Sequence, residues 1–251
     1  MILGIDVGNT DTVTVLMDEK GIINEYRNKT NKKGTILYYE EYLKEFLKDN
    51  TIKGVIITSV VSEINEQLNQ ACINFLGIEP IFVSADLKTG INIKYDNPNK
   101  LGADLITVAV GAVIKYNAPV IVVDIGTATT FSVINEKKEY LGGMIAPGPY
   151  ITMKALATMT SQLPEIELTP IKNVIGTNTI DCMKIGTMVA HAAMIDGMID
   201  KVLNILNRND VKIIATGGRA EDIISMCSRH KIIYDKNLIS HGLYELYRMN
   251  V

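Results

Sequence analysis

Asp6 and Asp124 each end an apolar run and open the same short pattern: a carboxylate, one residue, a glycine, then hydroxyl-bearing side chains. The two copies read Asp6-Val7-Gly8-Asn9-Thr10 and Asp124-Ile125-Gly126-Thr127. A glycine at such a turn lets the backbone bend tightly and approach a ligand with no Cβ in the way. Successive amide N–H groups then point into the turn and make a nest for an anion. In the first copy Asn9, Thr10 and Thr12 add donors, and Asp6 offers a carboxylate to Mg²⁺, directly or through water. One isolated copy reads more simply as a hairpin turn whose polar side chains satisfy their own backbone. Two copies at equivalent places point instead to a polyphosphate, gripped from both sides. A third element, VKIIATGGRA (Val211–Ala220), is an apolar strand ending in Thr216-Gly217-Gly218 before a helix. Paired glycines there let an adenine or ribose lie flat on the backbone beside a helix N-terminus. The chain has no G-x-x-x-x-G-K-[ST], which excludes P-loop chemistry.

The elements that position these turns repeat with them. MILGIDVGNTDTVTVLMDEKGIINEY returns as APVIVVDIGTATTFSVINEKKEYLGG, Asp6 matching Asp124 and Gly8 matching Gly126. Each copy reads as a strand, the D-x-G turn, a second strand carrying Thr12 and Thr14 or Thr130 and Ser132, a polar turn and a third strand. After the first copy the pattern predicts helices over 36–47, 62–76 and 98–116, with strands at 54–59 and 80–83. After the second it predicts helices at 148–159, 178–206, 218–229 and 237–248, with strands at 212–216 and 231–234. Two successive β-β-β-α-β-α-β-α units describe an α/β protein of two duplicated domains, 1–117 and 118–251, each a mixed sheet flanked by helices.

Composition narrows the partners. The chain has 251 residues, 47% hydrophobic and 21% charged, enough apolar material for two cores. A net charge of −3 gives no basic field for nucleic acid or an anionic membrane surface. Cys72, Cys182 and Cys227 are odd in number and unrelated in spacing, which argues against disulfides or a zinc site and fits a reducing compartment. The chain enters a strand at once, with no basic leader, and its apolar runs are too short to span a bilayer. These features predict a soluble, cytoplasmic protein with neither a nucleic-acid nor a membrane partner.

The ordered set of two phosphate turns and an adenosine turn resembles the acetate-and-sugar-kinase, hsp70 and actin superfamily. The segments TGINIKYDNPNKLGAD (89–104), DIGTATTF (124–131), GGMIAPG (142–148), ALATMTSQLPEIEL (155–168) and IGTNTIDCMKIG (175–186) resemble, more narrowly, type III pantothenate kinase. The similarity runs from residue 1 to about residue 245. It implies two duplicated ribonuclease-H-like domains of the actin-like ATPase superfamily. It also implies ATP-dependent phosphorylation of pantothenate, the first step of coenzyme A synthesis, in a homodimer requiring Mg²⁺ and a monovalent cation, K⁺ or NH₄⁺. Carried onto this sequence, the resemblance assigns Asp6, Val7, Gly8, Asn9, Thr10, Asp11, Thr12, Val13, Thr127, Gly217 and Gly218 to ATP. Asp124 falls to the monovalent cation and Asp6 to Mg²⁺. Tyr95, Gly102, Ala103, Asp104, Leu105 and Thr179 fall to pantothenate.

Asp104 is the catalytic candidate on the acceptor side. Asn97-Pro98 reads as a helix start, a capping side chain followed by proline at the first helical position. The helix then carries an apolar stripe of Leu101, Leu105, Val108 and Ala112, with Asp104 at its edge. A carboxylate there is either solvated at the stripe's margin or buried with a partner. In the context of the resemblance it orients the acceptor hydroxyl and takes its proton, for which an ordinary carboxylate pKa suffices. The three histidines form no site, and Met183, Met188, Met194 and Met198 read as core or dimer interface. Two departures stand out: Leu105 replaces the arginine of the family's G-A-D-R, and GTMVAHAAMIDG lacks the family's Tyr-Gly pair. Two alternatives therefore stand beside pantothenate: a kinase of the same fold for another small hydroxyl compound, and a catalytically weak nucleotide-binding regulator.

Overall fold

Strand β1 (Ile2–Val7) leaves the N-terminus as a buried run, and β2 (Asp11–Asp18) and β3 (Gly21–Lys29) follow it as an antiparallel meander. The computed structural model describes residues 1–48 and 50–251. Helix α1 (Ile36–Leu47) is capped by Thr35, whose Oγ1 accepts from Tyr38 N–H at 3.2 Å. It returns the chain so that β4 (Gly54–Ser59) lies parallel to β1, and α2 (Asn65–Leu76) crosses to β5 (Ile81–Phe82). The sheet order is β3-β2-β1-β4-β5. Strand alternation sends Leu3, Ile5, Val7, Val55 and Ile57 to one face, where they pack with Leu43, Leu47, Leu68 and Cys72 of α1 and α2.

A two-residue strand β6 (Asn92–Ile93) and a 3₁₀ turn (Pro98–Lys100) lead to α3 (Ala103–Tyr116). The C-terminal helix, Leu238–Asn250, packs with the same group of elements. A Cβ on Gly4 would stand 3.3 Å from Leu243, and the Tyr247 ring fills the place a side chain on Gly54 would need. The C-terminal helix also crosses α3 closely, since a Cβ on Gly111 would come within 2.6 Å of Leu238 C=O. Every residue of α3 from Ile106 to Val113 is buried, so the helix is apolar all round and not along one stripe as its sequence suggested.

The second compact unit spans Lys115–Lys236; the first comprises Met1–Ile114 together with Asn237–Val251. The sequence reading ended the first domain at residue 117 and counted the C-terminal helix with the second; in the structure that helix packs on the first sheet. In the second unit β7 (Val120–Ile125), β8 (Ala128–Ile134) and β9 (Glu139–Pro147) repeat the meander. Both copies carry a register shift at the matching place, Leu16/Met17 and Val133/Ile134. Helices α4 (Pro149–Met159), α5 (Thr179–Lys184) and α6 (Ala190–Leu206) follow, then β10 (Lys212–Thr216), α7 (Ala220–Ile224) and β11 (Ile232–Tyr234). Within the unit the strands order β11-β10-β7-β8-β9. Ile121, Val123, Ile125 and Phe131 pack with Met188, Ile195, Ile199 and Ile223 to form its core.

The helix expected over 178–206 is interrupted by a π-helical turn at Ile185–Val189, and the helix expected over 218–229 is one short element, α7. Met183 and Met188 are buried, while Met194 and Met198 pack against the core; the methionine face is therefore spent on its own unit. Among the described residues no helix is long and apolar enough to cross a membrane.

Candidate active site

Asp6 stands at the end of β1, in register with Thr58 of β4 and Val13 of β2, and is half-buried. The turn after it closes by a hydrogen bond from Gly8 N–H to Asp11 C=O at 3.0 Å. A Cβ on Gly8 would lie 3.0 Å from that same oxygen, so any side chain here crowds the turn. Asn9 and Thr10 are exposed at the tip. Val7 and Val13 are 1% and 5% exposed, so they can offer a ligand little beyond their backbone. Asp11 is engaged by Lys29 at 2.9 Å and Arg27 at 3.6 Å.

In the second unit Asp124 ends β7, in register with Thr216 of β10 and Thr130 of β8. This turn closes one residue earlier than the first, Gly126 N–H donating to Ala128 C=O at 3.0 Å. The glycine pair after β10 is built onto it. Gly217 has φ +99°, and a Cβ there would collide with Asp124 Oδ1 and lie 2.6 Å from Ile125 C=O. Arg219 N–H donates to Ile125 C=O at 3.2 Å, so the Asp124 turn and the Gly217-Gly218 turn form one surface. Thr127 C=O accepts from Gly148 N–H at 3.0 Å, which ties in the G-G-x-I-x-P-G segment. Behind the turn, buried Thr129 meets His191 Nε2 at 2.8 Å. Burial pushes the His191 imidazole below its ordinary pKa, so it is a neutral prop.

The acceptor motif is organised differently from its sequence reading. The side chain of Asn97 makes no cap, Pro98 opens only a 3₁₀ turn, and Leu101 is extended, so the α-helix starts at Ala103. Asp104 thereby falls in the first helical turn, not in the second. Its Oδ1 accepts from Leu105 N–H at 2.8 Å, and a Cβ on Gly102 would come within 2.5 Å of it. Burial raises the Asp104 pKa above its ordinary value, and the opposing hydrogen bond from Leu105 N–H is the smaller effect. The carboxylate is thus more basic than the sequence context suggested.

Beside it opens a pocket of ≈ 580 Å³ in the first unit, walled by Gly102, Ala103, Leu101 and Asn99 from the acceptor motif. The rest of the wall is Ser59 at the end of β4, Val60 after it, and Val83–Asp86 after β5. Sequence reasoning missed this second wall, although both segments follow the carboxyl ends of parallel strands, where ligands of α/β sheets gather. Asp86 is the ionisable side chain of the wall; Ser59, Ser84 and Asn99 supply neutral donors and acceptors.

The type III pantothenate kinase family pattern matches residues 2–201. A type III pantothenate kinase from Halalkalibacterium halodurans is 40% identical over 256 positions, covering the whole of both chains. The chain belongs to the type III pantothenate kinase family. A second type III pantothenate kinase, from Shouchella clausii, is 39% identical over 94% of this chain and all of the relative. The fold extends further: the activator of 2-hydroxyisocaproyl-CoA dehydratase from Clostridium difficile, solved with bound ADPNP, aligns with a TM-score of 0.54 at 14% identity, over 99% of this chain and 95% of that one.

For a pantothenate kinase the site residues are unevenly placed. Gly102 and Ala103 line the pocket, and Asp104 and half-buried Leu105 continue from them at the head of α3. Tyr95 is 41% exposed and is not part of the pocket wall. Thr179 lies exposed in the first turn of α5, in the second unit, where Asn178 caps the helix by accepting from Asp181 N–H at 2.9 Å. The stretch lacking the family's Tyr-Gly pair contains the π-helical turn, whose buried Thr187 hydroxyl has no hydrogen-bond partner.

Proposed function

We propose that the protein phosphorylates pantothenate to 4'-phosphopantothenate at the expense of ATP, with Asp104 as the group that positions the acceptor hydroxyl and receives its proton. The observation that carries the assignment is the Asp104 carboxylate, fixed by Leu105 N–H directly after Gly102 and Ala103, which wall a pocket. Phosphoryl transfer needs chiefly positioning and charge neutralisation. The acceptor oxygen bonds to the γ-phosphorus, the bond to the β,γ-bridging oxygen breaks, ADP departs, and the hydroxyl proton passes to Asp104. A carboxylate made more basic by burial is suited to that last step. Tyr95, Leu105 and Thr179 complete the acceptor set in this reading.

Asp6–Val13, Thr127, Gly217 and Gly218 are assigned to ATP. Val7 and Val13 take part through their backbone, and Asp11 in its pairing with Lys29 and Arg27. Among the described residues no three His, Cys, Asp or Glu side chains cluster in a metal-binding arrangement. Mg²⁺ is often held by one or two carboxylates plus substrate phosphates, and the Asp6 carboxylate at the strand end fits that role. When bound, the ion neutralises phosphate charge. The Asp124 carboxylate and Ile125 carbonyl, both pressed around Gly217, form a hard-oxygen pair that fits a monovalent cation. The protein acts as a homodimer, and its three unpaired cysteines suit a cytoplasmic enzyme.

The test is a coupled assay of ADP release with pantothenate as acceptor. Pantothenate-dependent turnover that Asp104→Asn lowers roughly 10²-fold or more supports the assignment; turnover with another small alcohol and none with pantothenate would sink it.

A further inference from the structure

We infer that Lys32 is a phosphate-binding residue of the first D-x-G turn, reaching the polyphosphate from the loop after β3. The inference rests on the kinase reading and adds to it a residue outside the family's motif. That motif, Asp6 to Val13, contains no lysine or arginine, so the turn itself offers an anion only N–H and hydroxyl donors. The loop beginning at Thr30 is bound to the turn by three hydrogen bonds. Thr30 N–H donates to Thr10 C=O at 3.0 Å, its Oγ1 donates to Gly8 C=O at 2.6 Å, and it shares a bond of 3.0 Å with Thr12 Oγ1. Gly34 N–H and Tyr39 Oη both donate to Asn31 C=O, at 3.0 and 2.8 Å, and fix the far side of the loop. Lys32 therefore extends from a segment held in register with the turn.

Its ammonium donates to Asn9 Oδ1 at 2.9 Å, which puts a positive charge on the tip of the turn. The ion pair it makes, with Glu63 on the 3₁₀ turn after β4, is 4.0 Å long, and the two side chains are 44% and 55% exposed. An exposed pair of that length holds the charge weakly. Lys29 and Arg27 are committed to Asp11, which they neutralise. Lysine is a compact charge on a flexible stem, and exchanging the Asn9 amide for a phosphate oxygen requires only rotation of its own side chain.

Equilibrium binding to the full chain, measured by calorimetry with ATP, inorganic tripolyphosphate and adenosine as separate probes, tests the assignment. Lys32→Gln is expected to weaken ATP and tripolyphosphate roughly 10- to 100-fold, the range of a charge-assisted hydrogen bond, while adenosine binding stays within about two-fold. Lys32→Arg should restore most of the loss. Glu63→Gln should tighten both phosphate probes by roughly two- to five-fold, which a merely structural lysine would not produce. Equal losses for all three probes, or phosphate affinities unchanged within about two-fold in Lys32→Gln, would overturn the assignment and leave the kinase reading standing. Failure of the unaltered protein to bind ATP would overturn both.

Discussion

Asp104 shows how far a residue's role can be read before its surroundings are known. Its type and its place in G-A-D were legible; its basicity was not, because that depends on burial, which a nominal helix register through Pro98 misplaces. The raised pKa has two measurable consequences. If Asp104 takes the acceptor proton, kcat/KM should fall about tenfold per pH unit below that pKa, on a limb lying above the ordinary carboxylate value of about 3.9. Asp104→Asn should remove the limb and lower kcat by roughly 10²-fold or more with ATP affinity unchanged. The same variant should be more stable than the natural protein near neutral pH. A carboxyl whose folded pKa is raised contributes stability below its unfolded pKa, and that contribution is lost as pH rises through the folded value. Denaturant midpoints should therefore favour the Asn variant at about pH 7.5 and converge towards about pH 4; a variant less stable at both would contradict the burial argument. Leu105 is the other residue to probe. With no cation at that position and Asp86 in the pocket wall, pantothenate should bind with a high KM, which Leu105→Arg should lower roughly 10- to 100-fold without altering ATP binding.

At the scale of elements, the two D-x-G turns and the strand before Gly217-Gly218 were readable because their signals are local: an apolar strand followed by Asp-x-Gly in two cases and by a glycine pair in the third. The β-meanders were equally legible, but the register shift that both copies carry was not. What escaped is non-local. The start of α3 is set by the extended backbone at Leu101, and the pocket wall after β4 and β5 exists only once parallel pairing brings those strand ends together. The π-helical turn at Ile185–Val189 carries no proline, and its one glycine, Gly186, is too weak a signal to announce it. Gly217 allows a test at this scale. Gly217→Val imposes a branched side chain on φ +99° and drives it into Asp124 and Ile125. It should abolish the dependence of turnover on K⁺ and weaken ATP at least about tenfold, with the circular dichroism of the fold retained. Persistence of the K⁺ response would place the cation elsewhere.

For the whole molecule, the duplicated sheets give two cores, and the methionines that suggested an adaptable interface are used inside one of them. Six exposed apolar side chains of the second unit fall on the stretch from 150 to 180: Tyr150, Ile151, Met159, Val174, Ile175 and Ile180, with Met159, Val174 and Ile175 between 70% and 84% exposed. A homodimer should bury that stretch. Light scattering at micromolar concentration should report twice the 27.7 kDa chain mass, and Ile175→Glu should shift the population towards monomer. A monomer in the natural protein would contradict this. The central claim is the reaction itself, and phosphorus NMR of a mixture of the protein, ATP, Mg²⁺, K⁺ and pantothenate tests it most directly. The account predicts a phosphomonoester resonance of 4'-phosphopantothenate growing as the γ-phosphate signal of ATP declines, and both changes slowed roughly 10²-fold or more with Asp104→Asn. Loss of γ-phosphate to inorganic phosphate alone, or the same phosphomonoester from the Asn variant at the natural rate, would contradict it.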